Sequence, residues 1–312
     1  MKKRVISAIF MMIILLAFLS LRILEISAFD FMILGINMIG AYEVSNCKTK
    51  ANKHNFLYAV IFFVLSEYLA LTICFAYKIN IGYILAIICG VFLLTMLVMI
   101  LLPLLQKEQT QNEYKLLESD LTYKEYLRKR YIETIKIILY PCLILSSLYF
   151  INNISRLSYN VIGENVDLGW YLLASMFGIS IATDTFAFFV GRLVKGPKLA
   201  PKISPNKTIS GAVGGLIFGA IASMLIYLIF NSFSEYHTLF ETLNLNIFHT
   251  LMIGINASIF NQIGDLYESH KKRQLGIKDF GNLFPGHGGI MDRVDGLSFV
   301  SLVLLIIYAI AL

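Results

Sequence analysis

Long apolar runs separated by short polar stretches recur along the 312-residue chain. Most of these runs approach the ~20 residues that a helix needs to cross the hydrocarbon core of a bilayer. The strong runs are 5–21, 56–76, 81–105, 137–150, 168–190, 211–230 and 297–312, and the weaker runs, 29–44 and 247–263, contain Asn, Gln or Gly. The pattern predicts an all-α, polytopic integral membrane protein with about nine transmembrane helices.

The first run follows Lys2, Lys3 and Arg4, as the apolar region of a signal peptide would. No small-residue cleavage site follows it, and the chain soon becomes apolar again. We interpret this run as a retained first helix, with a cleaved signal peptide as the less favoured alternative.

Basic residues are distributed unevenly among the polar stretches. With nine spans, 22 Lys and Arg residues fall on the side of the N-terminus and three on the other, while Lys136 lies at a boundary. Because basic loops stay in the cytoplasm, this bias predicts a cytoplasmic N-terminus in the cell (plasma) membrane. The net charge of +6 then reflects topology, and no compact basic domain suited to nucleic acid is present.

Polar residues enter the apolar runs mainly in the second half of the chain. Residues 1–135 are predicted to form an N-terminal membrane region of about four helices with an amphipathic cytoplasmic loop. Residues 136–312 are predicted to form a membrane domain of about five helices, and Asp184 lies inside one of its runs. Ionisable residues are costly in a membrane, so we expect the chemistry here. Asp184 either joins the site or makes a polar contact between helices.

Two aspartates flank the polar stretch between the last two runs. Asp265 follows the eighth run, and Asp292 stands just before the ninth. An antiparallel helix pair would bring both carboxylates to one membrane depth, where hard oxygen ligands suit Mg²⁺ together with substrate phosphates. Asp295 lies three residues after Asp292 and would share its helix face.

The stretch "KDFGNLFPGHGGIMDRVDG", residues 278–296, combines glycines with charged residues. Gly286, Gly288 and Gly289 permit close backbone approach around His287. The alternative is a tight re-entrant turn in which the aspartates pair with Arg293 and Lys278. His287 has no second His or Cys at metal-ligand spacing, which argues against zinc, and it either contacts phosphate or packs in the turn. The four cysteines show no CxxC spacing.

A basic stretch with three prolines, "GRLVKGPKLAPKISPNKTISG", occupies residues 191–211. Ser204 followed by Pro205 predicts a helix N-cap with proline in the first turn. Lys207, Thr208 and Ser210 would then line a helix N-terminus, which is a natural phosphate site. The alternative is a positively charged cytoplasmic loop before a well-capped helix. Carboxylates for a divalent cation and a basic phosphate site together favour phosphoryl or nucleotidyl transfer on a lipid.

These motifs resemble the phosphatidate cytidylyltransferase, or CDP-diacylglycerol synthase, family. The family signature has the form S-x-apolar-K-R-x4-K-D-x-small-x2-apolar-P-x-H-G-G-apolar-x-D-R-apolar-D, and the chain reads "SHKKRQLGIKDFGNLFPGHGGIMDRVD". Only Lys271 departs from it. Upstream, "DTFAFFVGR" and "SPNKTISG" are similar to the family's D-T-x-A-Y-x-x-G-R and S-P-K-K-T-W-E-G, with departures at Asn206, Ile209 and Ser210.

The resemblance implies that CTP and phosphatidate are joined into CDP-diacylglycerol and pyrophosphate at a cytoplasm-facing site in the bilayer. It implies Mg²⁺, with room for a monovalent cation such as K⁺, and it maps the family's metal-binding aspartates to Asp265 and Asp292. Lys207, Lys278 and Arg293 are predicted to neutralise charge, and Asp279 and Asp295 to orient ligands or basic groups. The predicted substrate-binding residues are Ser204, Lys207, Thr208, His287, Gly288 and Gly289.

Two other functions fit the same pattern less well. A CTP-dependent polyprenol kinase would transfer the γ-phosphate and release CDP. An ion-coupled transporter would bind its ion at Asp184 and Asp265, but transporters often show repeated halves, and the sequence shows no repeat. The sequence leaves the oligomeric state open, a homodimer included.

Overall fold

A computed structural model describes the helices and loops that position the predicted site. The described residues are 2–48, 90, 93, 97, 122–128, 148–149, 151–153, 166–274, 276–286 and 288–311. The predicted runs 56–76, 81–105 and 137–150 lie wholly or largely outside these residues. The count of nine spans and the boundary at residue 135 therefore stay predictions.

The described elements are mainly helices. They are α1 (Lys2–Leu24), α2 (Ile26–Lys48), α3 (Leu168–Val194), β1 (Lys198–Ala200), β2 (Ser204–Thr208), α4 (Ile209–Asn231), α5 (Ser234–Thr242), α6 (Ile247–Gln274) and α7 (Met291–Ala311). The chain divides into two compact units, one of Met1–Ile33 with Ser147–Leu312 and one of Leu34–Ser146. All site residues described below belong to the first.

Two described helices, α3 and α4, are long and apolar enough to cross a membrane. A third candidate combines α5 with α6, which are bent by 84° relative to each other. The apolar side chains on one side of α4 are exposed, as expected of a helix that faces lipid. They include Val213, Ile217, Ile221, Leu225 and Leu228. The described part of the protein is thus mostly helical with two or three candidate spans.

Small residues let α3, α4 and α6 approach closely. Gly211, Gly215 and Gly219 are spaced four apart and lie buried on one face of α4. A Cβ atom at Gly215 would stand 2.7 Å from the carbonyl oxygen of Thr183 in α3. Small residues at this spacing are typical of helices that pack through their backbones in membranes. The close approach brings the polar side chains of α3 and α6 within hydrogen-bond distance of each other.

One extended segment in the first unit departs from the all-α prediction. β1 and β2 form an antiparallel hairpin in which Lys198 pairs with Thr208 and Ala200 with Ser204. A proline is tolerated in such a strand because a two-stranded hairpin leaves outer edges that need no donor. The fold is therefore helical with a small hairpin between α3 and α4.

The N-terminal helix α1 is held by a buried charged group. Arg22 is 2% exposed and donates to the Asp167 carboxylate at 2.7 and 3.2 Å. It also donates to the side-chain oxygen of Asn152 at 2.6 Å, and its guanidinium lies 4.6 Å from the centre of the Trp170 ring. Asp167 in turn caps α3 by accepting from the Gly169 amide at 2.8 Å. We call Arg22, Asn152, Asp167 and Trp170 the Arg22 cluster.

Candidate active site

Polar side chains join α3 to α6 in the middle of the helical packing. Ser180 donates to the side-chain oxygen of Asn261 at 2.8 Å, and the Asn261 amide donates to Asp184 at 2.7 Å. One turn away, Thr183 donates to Ser258 at 3.1 Å. Asn261 thus fixes one oxygen of Asp184. Of the two alternatives for Asp184, the polar contact between helices is present, and a place in the site stays a prediction.

Lys207 and Asp265 form an ion pair between β2 and α6. The side chains remain 27% and 34% exposed, so both can also contact a ligand. Ser269, one turn further along α6, donates weakly to Asp265 at 3.5 Å. The hairpin therefore places its lysine at the aspartate that the sequence singled out as a metal ligand.

Three carboxylates from different helices act on each other around this ion pair. The negative charge of Asp265 acts on both Asp184 in α3 and Asp295 in α7. The positive charges of Lys207 and Arg293 act on Asp184 as well. The structure thus brings five of the charged residues named from the sequence into one electrostatic neighbourhood. We call Asp184, Lys207, Asp265, Arg293 and Asp295 the Asp265 cluster.

Asp292 lies beside this cluster and has different partners. Its carboxylate is 1% exposed and accepts from the Lys272 ammonium at 2.8 Å through Oδ1. Lys272 also donates to Glu268 at 3.0 Å, one turn back along α6. The alternative expectation, that Asp292 pairs with Arg293 or Lys278, is not what the structure shows, because Lys272 takes that place.

The second oxygen of Asp292 holds the loop between α6 and α7. Oδ2 accepts from the backbone amides of Phe280 at 2.9 Å and Gly289 at 2.8 Å. These two hydrogen bonds use both lone pairs of Oδ2, whereas Oδ1 accepts from Lys272 and has a second lone pair. Gly288 has a φ of +86°, and a Cβ there would meet Asp292 Oδ2 at 2.7 Å, so the position suits glycine.

The rest of this loop folds into a tight turn. Phe284 and Gly288 exchange backbone hydrogen bonds of 2.9 and 3.1 Å. Pro285 followed by Gly286, with a φ of +83° at the glycine, is the residue order that a type II turn requires. Ser7 of α1 donates to the Pro285 carbonyl at 3.3 Å. His287 lies outside the described residues, so its predicted role stays a prediction.

The predicted N-cap at Ser204 is wrong. Ser204, Pro205 and Lys207 belong to β2, and α4 begins only at Ile209. Thr208 is the cap, because its hydroxyl accepts from the Gly211 amide at 3.1 Å. The Ser-Pro signal failed because the following residues stay extended in their pairing with β1. Thr208 supplies the capping oxygen four residues later.

The remaining predicted residues take different positions. Three of them are exposed, namely Lys278, Asp279 and Arg293. The loop glycines Gly288 and Gly289 are buried. Ser210 is half-buried, and its hydroxyl donates to the Lys195 carbonyl and lies 3.2 Å from the Thr208 hydroxyl. Asp295 accepts from the Gly296 amide at 2.8 Å.

The donor types suit a divalent cation. The Asp265 cluster and the groups bound to Asp292 together contain five carboxylates and three basic side chains. Within the described residues, no group of three or more His, Cys, Asp and Glu side chains could enclose a metal ion alone. Mg²⁺ usually takes one or two carboxylates and completes its coordination with phosphates and water. The residues present fit that mode of binding.

Sequence reasoning missed two residues that organise the site. Asn261, a polar residue in the run 247–263, orders Asp184. Lys272 stands among basic residues after this run, where a lysine is expected to be exposed, but its side chain is only 12% exposed. The spacing of four between Glu268 and Lys272 was an available signal, because such pairs share a helix face.

Residues 2–311 match the cytidylyltransferase family. The chain is 44% identical over 132 residues to the phosphatidate cytidylyltransferase of Staphylococcus haemolyticus, covering 42% of this chain and 46% of the relative. It is 38% identical over 148 residues to that of Brucella abortus, covering 47% and 50%. It is 46% identical over 118 residues to that of Staphylococcus epidermidis, covering 38% and 41%. The matches span about half the length of these relatives. The family match covers nearly the whole chain, and the chain belongs to the cytidylyltransferase family.

Proposed function

We propose that this member of the cytidylyltransferase family transfers the CMP group of CTP to phosphatidate, giving CDP-diacylglycerol and pyrophosphate. The observation that carries the proposal is the Asp265 cluster, in which the ion pair of Lys207 and Asp265 is partly exposed. Asp184 of the candidate span α3 is hydrogen-bonded to Asn261, one turn before Asp265 in α6. Asp295 of α7 packs against Gly264. The family membership and the names of the relatives support the choice of nucleotide and lipid.

The reaction is a single in-line displacement. A phosphatidate oxygen attacks the α-phosphorus of CTP, and a new P–O bond forms. The bond from the α-phosphorus to its bridging oxygen breaks, and pyrophosphate leaves with that electron pair. The lipid phosphate is already anionic, so no covalent enzyme intermediate and no general base are required. The protein's contribution is therefore to position the two anions and to offset their charge.

The chain's own residues divide this work. Lys207 is partly exposed, so its ammonium can leave Asp265 and bind a phosphate oxygen instead. Arg293 is exposed on the first turn of α7, and Lys278 is exposed on the loop before it. These three cations are proposed to draw the triphosphate and the lipid phosphate together. Asp279 and Asp295 are proposed to orient them.

Mg²⁺ is the proposed cofactor, with K⁺ as an additional candidate. Asp265 would hold the metal, with Asp292 as its predicted partner through the lone pair that Oδ1 retains. When bound, the metal would supply Lewis-acid stabilisation of the negative charge that develops on the phosphates. Thr208, His287, Gly288 and Gly289 are the proposed substrate contacts; Ser204, which lies in β2, is retained only through the family resemblance.

We also propose the membrane arrangement that the sequence predicts. About nine spans, a cytoplasmic N-terminus and a cytoplasm-facing site in the plasma membrane would give the enzyme access to CTP on one side and lipid from the bilayer. The exposed apolar face of α4 and the basic hairpin that precedes it support this arrangement.

Product identification tests the proposed reaction. Purified protein is incubated with phosphatidate, labelled CTP and Mg²⁺, and both products are identified. The expected products are CDP-diacylglycerol and pyrophosphate in equal amounts. Release of CDP with a phosphorylated lipid would instead show transfer of the γ-phosphate and would reject the proposal.

The Asp292→Asn variant tests the metal assignment. It is expected to lose CDP-diacylglycerol formation while remaining folded in detergent, and Mn²⁺ binding followed by electron paramagnetic resonance should weaken. Near-normal activity at saturating Mg²⁺, with unchanged Mn²⁺ binding, would reject the metal role of Asp292.

A further inference from the structure

Two adjacent lysines at the end of α6 have different environments. Lys271 reaches over the Tyr267 ring, with its ammonium 5.5 Å from the ring centre. Lys272 turns inward and contacts Glu268 and Asp292, whose side chains are each 1% exposed. A basic flank that serves only membrane topology would not need one lysine inside the protein.

Lys272 connects three parts of the chain. It contacts Glu268 in its own helix and Asp292 in α7, and its ammonium lies 5.9 Å from the Phe280 ring in the loop between them. The Phe280 amide is one of the two that Asp292 holds. The lysine therefore contacts the loop directly through an aromatic ring and indirectly through a carboxylate.

Removing the ammonium would leave two buried carboxylates facing each other. Glu268 and Asp292 act on each other electrostatically, and Lys272 stands between them. Without the cation, Asp292 is expected to turn away from Glu268. It would then release the amides of Phe280 and Gly289. Removing one partner of a buried ion pair is strongly destabilising, because it leaves an uncompensated buried charge.

We propose that Lys272 is a positioning residue that holds Asp292 in place, so that Asp292 can order the loop between α6 and α7. The loop carries Lys278, Gly288 and Gly289, which the proposed function uses to bind phosphates. Lys272 thus sets the affinity for CTP without touching it. This consequence for CTP rests on the proposed function, whereas the ordering of the loop does not.

The experiment compares Lys272→Met with Lys271→Met in detergent micelles. Methionine keeps the length and the apolar character of the side chain but removes the charge. Amide hydrogen exchange is followed in the peptides that cover the loop and in peptides from α3 and α4. In Lys272→Met, exchange in the loop should accelerate roughly tenfold or more while α3 and α4 stay unchanged. In Lys271→Met, neither region should change.

Kinetics then separates positioning from general damage. Lys272→Met is expected to raise KM for CTP more than it lowers kcat, and Lys272→Arg, which keeps the charge, should recover most of the loss. Unchanged exchange in the loop of Lys272→Met would overturn the proposal, as would acceleration throughout α3 and α4. If the unaltered protein makes no CDP-diacylglycerol but the exchange pattern appears as expected, the proposed function fails and the positioning role stands.

Discussion

The Arg22 cluster and the Asp265 cluster both place charges among apolar helices. We call the first closed because its cation is fully buried, and the second open because both members of its ion pair are partly exposed. The Arg22 side chain is 0% exposed, and its hydrogen bonds go to Asp167 and Asn152. Lys207 and Asp265 are about one-third exposed and sit beside two more carboxylates. The buried cation of the first cluster has one partly exposed anionic partner, Asp167, which is 27% exposed, whereas the ion pair of the second has two further carboxylates near it.

This difference separates charges that hold the fold from charges that act on a ligand. A buried ion pair costs desolvation energy and is tolerated only when its groups are paired and hydrogen-bonded. In the Arg22 cluster, groups of the protein are sufficient to pair the cation, and the cluster joins α1 to the start of α3. In the Asp265 cluster, a cation with substrate phosphates would complete the pairing of the charges. We therefore expect substitutions in the two clusters to affect different measurements.

The largest expected effect is on the activity of Asp265→Asn. Losing the charge removes the proposed cation site and the partner of Lys207. CDP-diacylglycerol formation should fall by roughly 10³-fold, while the unfolding midpoint in detergent changes little. The control is Glu241→Gln, whose carboxylate is 70% exposed on α5. If activity falls less than tenfold, the open cluster is not the reaction centre, and its charges do not act on a ligand as proposed.

The second largest effect is expected on the stability of Arg22→Met, whose activity per folded molecule should stay unchanged. Arg22→Met leaves Asp167 and Asn152 facing an apolar side chain. The cost in unfolding free energy is about 3 kcal/mol, measured by titration of mixed micelles with sodium dodecyl sulfate. Arg192→Met, at the exposed end of α3, should be nearly neutral in stability.

A double variant sharpens this second prediction. Adding Asp167→Asn to Arg22→Met removes the uncompensated charge, so the pair should be less destabilised than the sum of the single variants. Simple addition of the two costs would show that Arg22 and Asp167 do not stabilise each other. A loss of activity in the folded fraction of Arg22→Met would show that the closed cluster also serves the reaction.

The sequence predicted the helices that apolar length alone defines. The predicted run 168–190 lies within the observed helix Leu168–Val194, and the run 211–230 lies within Ile209–Asn231. The run 247–263 underestimated its helix by eleven residues, because α6 continues through a charged segment to Gln274. Apolar length marks where lipid can surround a helix, but it does not mark where the helix ends. The predicted pairing of Asp265 with Asp292 stays a prediction, because their partners in the structure are Lys207 and Lys272.

The role of the predicted site residues stays a prediction, but their contacts can be compared with the structure. Residue type and motif spacing selected Lys207, Asp265 and Asp292, and the structure pairs Lys207 with Asp265 and gives Asp292 the partner Lys272. The partners could not be read from spacing, because they depend on tertiary packing. Asp292 binds Lys272 and two loop amides, and Lys207 reaches Asp265 from a hairpin where a helix was expected.

The smallest expected effect concerns Thr208, which joins the hairpin to α4 beside Lys207. Thr208→Ala removes the hydroxyl that accepts from the Gly211 amide, and the loss of such a cap costs about 1 kcal/mol in unfolding free energy. Thr238→Ala is a matched control, because Thr238 is exposed and its hydroxyl donates only to the carbonyl one turn back. Because Lys207 precedes the cap directly, Thr208→Ala should also raise KM for CTP a few-fold. An unchanged KM with the expected loss of stability would reject Thr208 as a substrate contact and would mean that the open cluster keeps its geometry without the cap.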